Sequence, residues 1–155
     1  MRAVIGLCGS LVLLVSCNKG SNVRLPIATS LGNLVRVEKV ERVVTDDKPV
    51  SAAPGEVLYL LSFEGKNSIS APVNPTLVDE KGNEKLAVFA GSPVRDGTLT
   101  KKAWTYNGEA KSVDGKFVFT GTVSLPEPRI AVVFSLPEGS AGWRLKDGEN
   151  RPQVL

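Results

Sequence analysis

Two stretches constrain this chain more than any others: EVLYLLSFE, Glu56 to Glu64, and RIAVVFSLP, Arg129 to Pro137. Side chains of an extended strand alternate between its two faces, so Val57, Tyr59, Leu61 and Phe63 share one face of the first stretch while Leu58 and Leu60 share the other. A strand that is apolar on both faces must be covered on both, which places it at the centre of a sheet. The second stretch is almost wholly apolar and reads the same way. No segment of the body carries a convincing period of 3.6, so the chain is read as all-β.

From Leu34 onward the sequence is a series of short β-like runs separated by turn residues. LVRVEKVERVV alternates at Val35 and Val37 and changes phase before Val40, which predicts a long strand with a bulge. TDDKPVSAAPG is turn chemistry. PTLVDEKGNEKLAVFAG predicts two strands, Thr76 to Asp79 and Lys85 to Ala90, joined by a turn at Lys81-Gly82-Asn83. In GKFVFTGTVSL, Phe117 and Phe119 and then Val123 and Leu125 alternate, with Gly121 marking a bulge. TLTKKAWTY, Thr98 to Tyr106, fits a strand or a short helix; Trp104 and Tyr106 share a face only in the strand. AGWRLKDG closes the pattern with Trp143 and Leu145 on one face. Seven or eight strands over roughly 115 residues, with turn signals about every 8 to 14 positions, predict an antiparallel β-sandwich. A small closed barrel is the alternative.

The N-terminus has a different character. MRAVIGLCGSLVLLVSC carries one positive residue, Arg2, followed by an uncharged and mostly apolar run from Ala3 to Val15. As a helix that run spans about 20 Å, short of the roughly 30 Å of a bilayer core, so residues 1–16 read as a cleaved secretory signal helix. The run ends in Leu14-Val15-Ser16-Cys17, which resembles the lipobox of bacterial lipoproteins. That resemblance implies that the Cys17 thiol is alkylated by diacylglycerol, that the signal is cut just before it, and that the freed amine takes a further fatty chain such as palmitate. Two or three chains hold a protein on a membrane where one gives only reversible binding. The same residues also fit an ordinary cleaved signal with an incidental cysteine, or a buried N-terminal helix. On the lipoprotein reading Cys8 is discarded. Asn18 stands where an Asp commonly retains Gram-negative lipoproteins in the inner membrane, so it leans toward the outer membrane. Residues 17–33 then form the lipidated cysteine and a flexible tether, with an ordered arm or edge strand from Val23 to Ile27 as the other reading, and residues 34–155 form the sandwich.

Four segments in order, VRVEKVERVV, PGEVLYLLSFEGKN, LVDEKGNE and VVFSLPEGSAGWRLKDG, resemble the telokin-like, immunoglobulin-like domain family of bacterial lipoproteins and secreted antigens, much of it of unknown function. The resemblance implies an immunoglobulin-like sandwich and is silent on activity. The segment from Ser92 to Val113 fits it least. The immunoglobulin cysteine pair is absent, so the core alone must hold the fold.

The residue inventory narrows the chemistry further. The chain of 155 residues has no His, which removes the commonest general base and the commonest ligand for transition metals. Its two cysteines, Cys8 and Cys17, lie outside the body, so no zinc cluster or disulfide framework can be drawn through it. The formal charge is only +3 and no basic run of the kind nucleic-acid binding needs is present. No cofactor, metal site or catalytic residue is therefore expected. The adjacent acidic pairs Asp46-Asp47 and Asp79-Glu80 fall in turns, where such residues are favoured anyway. Neither Ser-x-x-Lys nor Gly-x-Ser-x-Gly occurs from Leu34 onward. Lys101 and Lys102 beside Trp104 and Tyr106 form the candidate ligand surface, a cation-and-aromatic patch suited to a glycan or anionic polymer; the plainer account is a core Trp flanked by solvated lysines.

These features lead to a lipid-anchored cell-envelope lipoprotein that is not an enzyme. It would act as a non-catalytic interaction or ligand-binding module for an envelope protein, a glycan or a small ligand. The alternative is a carboxylate-dependent envelope enzyme such as a glycan hydrolase. That would need two carboxylates about 5 to 10 Å apart in one concave pocket.

Overall fold

Glu56–Glu64 and Arg129–Pro137 lie side by side, antiparallel and in register over all nine residues of each, with Phe63 opposite Ile130 and Leu61 opposite Val132. The computed structural model describes residues 23–71 and 75–155, and these contain strands and turns but no helix. Residues 1–16, read above as a signal, and Cys8, Cys17 and Asn18 lie outside the described residues.

In chain order the strands are β1 (Ile27–Thr29), β2 (Gly32–Val40), β3 (Arg42–Val43), β4 (Val50–Ser51) and β5 (Glu56–Glu64). There follow β6 (Ser68–Ser70), β7 (Thr76–Val78), β8 (Glu84–Leu86), β9 (Phe89–Pro93) and β10 (Leu99–Thr100). The last are β11 (Thr105–Val113), β12 (Lys116–Ser124), β13 (Arg129–Pro137) and β14 (Arg144–Leu145). A six-stranded sheet runs β1-β2-β5-β13-β9-β10, and two three-stranded ribbons, β11-β12-β6 and β14-β7-β8, form the layer that packs on it. The result is an antiparallel β-sandwich. β5 and β13 occupy its middle because they are the strands that are apolar on both faces.

The inner face of the large sheet carries Leu34, Tyr59, Leu61, Phe63, Ile130, Val132, Phe134 and Leu136, packed against Ile69, Leu77, Val123 and Leu145 of the ribbons and Trp143 just before β14. Val154 and Leu155 are buried in the same core, and both backbone N–H groups point to the Trp143 carbonyl. The outer face carries a second, smaller core of Leu58, Ala131 and Val133, covered by Val43 and Leu99. Segment 42–52 folds back over this face, held where the Leu99 N–H donates to the Val44 carbonyl at 2.9 Å.

Three expectations are corrected. The bulge in β2 lies between Leu34 and Arg36, not before Val40, so Val35 is the extra residue and does not share a face with Val37. The tether does not reach Asn33. β1 begins at Ile27 and pairs with β2, and the turn between them is held by the Thr29 hydroxyl, which donates to the Gly32 carbonyl at 2.7 Å and accepts from the Leu31 N–H at 3.1 Å. Burial of Leu31 and Leu34 draws this turn onto the domain. Lastly, the run Lys85 to Ala90 is not one strand. The Ala87 N–H donates to the Pro75 carbonyl of one layer and the Val88 N–H to the Val133 carbonyl of the other, so the chain changes sheets between β8 and β9.

A polar tie closes one end of the large sheet. Glu56 accepts from Lys85 Nζ at 2.6 Å through one carboxylate oxygen and from the Ser135 hydroxyl at 2.6 Å through the other. The ammonium first and the hydroxyl second hold the Glu56 carboxyl below its ordinary value of 4.5. A carboxylate depressed in the fold stabilises it fully above the unfolded value and loses that contribution as pH falls through the folded one. Glu56→Gln is expected to cost about 1–3 kcal/mol at neutral pH, with the deficit shrinking below about pH 4.5. Urea unfolding of both proteins at pH 7 and pH 3 checks this; an equal deficit at both would refute the linkage.

Candidate functional site

On the outer face, the cover made by residues 42–52 stops short of one corner, and a groove of about 550 Å³ opens there. Strand register explains it. Arg36 of β2 pairs with Ser62 of β5, which pairs with Ala131 of β13, so one row across the sheet is floored by two small residues. The next row, Glu38, Leu60 and Val133, is larger, and the row on the other side brings Glu64 opposite Arg129. Pro93, Gly97 and Leu99 wall the groove on the β9–β10 side, and Val35 and Arg36 wall it on the β2 side. The displaced bulge is what puts Val35, more than a third exposed, on this rim.

The groove has a floor of small residues, Ser62 and Ala131, and is charged at its sides. Arg36 reaches Glu38 at 3.4 Å, and both side chains are well exposed. Arg129 pairs with Glu127 through its guanidinium, with Glu64 close enough to add to the field, so its positive charge is reinforced. Beyond Glu64 and Arg129 the depression continues over Pro26, Asn33, Gly65 and Pro128 for about another 460 Å³. The two depressions share Val35, Glu64 and Arg129, and along them Glu38, Arg36 and the facing pair Glu64 and Arg129 supply charges of both signs. Such a surface can hold an extended chain by shape and by paired hydrogen bonds.

The predicted cation-and-aromatic surface is divided by the fold. Thr98–Tyr106 is neither one strand nor a helix: β10 ends at Thr100, a turn closes where the Trp104 N–H donates to the Lys101 carbonyl at 3.0 Å, and β11 begins at Thr105. Trp104 is 6% exposed, and its indole N–H donates to the Ser92 hydroxyl at 2.8 Å, which in turn donates to the Arg129 carbonyl at 3.1 Å. It belongs to the core and offers no stacking platform. Lys101 lies over the rings of Phe89 and Trp104, its Nζ 5.2 and 5.6 Å from their centroids, and this burial lowers its affinity for a proton. Lys102 is exposed, and Tyr106 is half exposed with its ring edge-on to Phe119 at 5.3 Å.

The acidic pairs serve turns. Asp46 accepts from the Thr100 hydroxyl at 2.7 Å, which lowers its pKa first among the causes, while its Oδ1 is buried without a partner. Asp79 accepts from the backbone N–H groups of Lys81 and Asn83 and from the Asn83 side-chain amide, and the Asn83 amide leads in keeping its carboxyl charged. Among the described residues no three His, Cys, Asp or Glu side chains gather as a metal site.

Compared with protein-family models, with curated proteins and with solved structures, the chain matches none.

Proposed function

We propose that this protein is a lipid-anchored envelope lipoprotein with an immunoglobulin-like domain, acting as a non-catalytic module that binds an envelope protein or glycan in the groove floored by Ser62 and Ala131. The observation that carries the binding site is the groove that the small residues Ser62 and Ala131 leave at the edge of the covered part of this face, with Arg36 and Arg129 beside Glu38 and Glu64. Cys17 supplies the lipid and Asn18 the outer-membrane preference. Arginines and carboxylates side by side in the groove suit a ligand that carries both donors and acceptors, as a peptide backbone or a sugar chain does.

The test is photo-crosslinking in intact cells from a reactive residue replacing Val35, followed by mass spectrometry. One envelope species should be captured by the parent protein and lost in Ser62→Phe, which fills the floor, yet retained in Lys101→Ala and Tyr106→Ala. Loss in the latter two with retention in Ser62→Phe would move the site to the cation-and-aromatic surface and reject the groove.

Glu38 and Glu64 line the same groove, and this keeps the second reading, a carboxylate-dependent glycan hydrolase. The two readings separate on turnover. A hydrolase releases glycan fragments from isolated envelopes and stops doing so in Glu64→Gln or Glu38→Gln, whereas a binding module releases none.

A further inference from the structure

The hairpin of β11 and β12 stands out from the body. Only its base is packed, through Val123 and part of Phe119, and every residue of β11 is exposed. Its tip turns through Asp114 and Gly115, with φ of 51° and 74°, the two-residue turn whose twist matches the strands. One face of the outer half is apolar, with Phe117 89% exposed. β12 is flanked by β6 at its base, but β11 has no strand on its other side among the described residues. The nine residues of this edge include no proline and no bulge, and its only charges are the complementary pair Glu109 and Lys111.

Hydrogen-bond parity tells which groups of β11 face outward. A two-residue turn makes its flanking pair, Val113 and Lys116, a hydrogen-bonded one, so Lys111–Val118 and Glu109–Thr120 follow as hydrogen-bonded pairs. The Gly121 carbonyl accepts from Ala71 on the far side of β12, which confirms that Gly121 and its partner Gly108 point away from each other's strand. The free N–H and C=O groups of β11 therefore belong to Tyr106, Gly108, Ala110 and Ser112. An added antiparallel strand must meet these with its own outward groups.

We propose that the added strand is β11 of a second copy, paired about a two-fold axis at Ala110. Parity allows only registers that pair outward residues with outward residues. Those centred on Glu109 or Lys111 set like charges directly opposite, which is unfavourable. The register centred on Ala110 sets Glu109 opposite the second copy's Lys111 and Lys111 opposite its Glu109, in the non-hydrogen-bonded positions where side chains come closest. Both side chains are about three-quarters exposed and already meet at 3.1 Å within one strand, so they lie on the required face. The seam itself is Ala110 on Ala110 and Gly108 on Ser112, residues small enough for close approach. Two three-stranded ribbons become one six-stranded sheet across the two copies.

The test uses the full chain in detergent, in equal parts ordinary and heavy-nitrogen protein, treated with a zero-length carbodiimide. A mixed-isotope peptide joining Glu109 of one copy to Lys111 of the other is expected. Sedimentation equilibrium should show the mass rising from one chain to two with concentration. Glu109→Lys, on an exposed side chain where folding is unaffected by far-ultraviolet circular dichroism, should weaken association by on the order of tenfold. Glu109→Lys with Lys111→Glu should return it to within about threefold of the parent. A single-chain mass at every concentration, absence of the mixed peptide, or unchanged association in Glu109→Lys each overturns the proposal. A chain that is monomeric when pure but crosslinks through Lys111 to another protein in whole cells also overturns it, in favour of a foreign strand on the same edge.

Discussion

Phe134→Ala is expected to destabilise the domain by about 3–5 kcal/mol, a large share of the roughly 5–15 kcal/mol that holds a domain of this size together. Phe134 is fully buried on β13, opposite Tyr59 of β5, in the row where the two most apolar strands meet the ribbons. Removing the ring leaves a cavity that strands hydrogen-bonded on both sides cannot close, because β13 is fixed by β5 along its length and by β9 at Ala131 to Val133. No cysteine lies in the body to brace the fold covalently. Phe117→Ala removes the same side chain from an 89% exposed position on β12 and should change stability by less than about 0.5 kcal/mol. Guanidinium unfolding of the pair measures the contrast. A Phe134→Ala loss below about 1 kcal/mol would mean that the inner face is not the principal core.

The centre of the fold was legible because EVLYLLSFE and RIAVVFSLP are apolar on both faces, and only a middle strand satisfies that pattern. The hairpin of β11 and β12 was half legible. Phe117, Phe119 and Val123 do alternate onto one face, but alternation carries no information about whether a partner sheet covers it, and Phe117 is bare. Gly121 is not a bulge in the pairing, which runs unbroken from Thr105–Ser124 to Val113–Lys116; it faces Gly108 so closely that a Cβ on either would strike the opposing backbone. Trp104 misled for a related reason. Near two lysines it resembles a binding aromatic, yet the turn after β10 carries it back to the partner that decides its role, Ser92 of β9.

The groove was illegible for a reason of register. Ser62 stands out in EVLYLLSFE only as the one small polar residue on a face otherwise made by Leu58 and Leu60, and Ala131 is unremarkable in RIAVVFSLP. They become a floor only when β5 and β13 pair as they do and β2 brings Arg36 alongside. A slip of one residue in either pairing would turn the row to the inner core and erase the groove. The displaced bulge adds to this, since an extra residue at Val35 rather than before Val40 decides which charges of VRVEKV face outward.

Cys17→Ser is expected to abolish lipid attachment altogether, the largest effect predicted on the proposed function. The argument is one of chain number. Each buried methylene contributes about 0.8 kcal/mol, so a diacylglycerol with an added acyl chain exceeds by many kilocalories per mole what any exposed protein surface supplies. The run Ala3 to Val15 cannot replace it by spanning, since it reaches only about 20 Å as a helix. Membrane fractionation alone would be ambiguous here, because on the lipoprotein reading a chain that is not lipidated is not cleaved and keeps its apolar leader. Incorporation of an alkyne-bearing fatty acid in growing cells separates the two effects. The parent protein and Cys8→Ser should both take up the label and run at the processed size, while Cys17→Ser should take up none and retain the leader. Label persisting in Cys17→Ser, or lost in Cys8→Ser, would place the lipid elsewhere and remove the basis for reading Asn18 as a sorting residue.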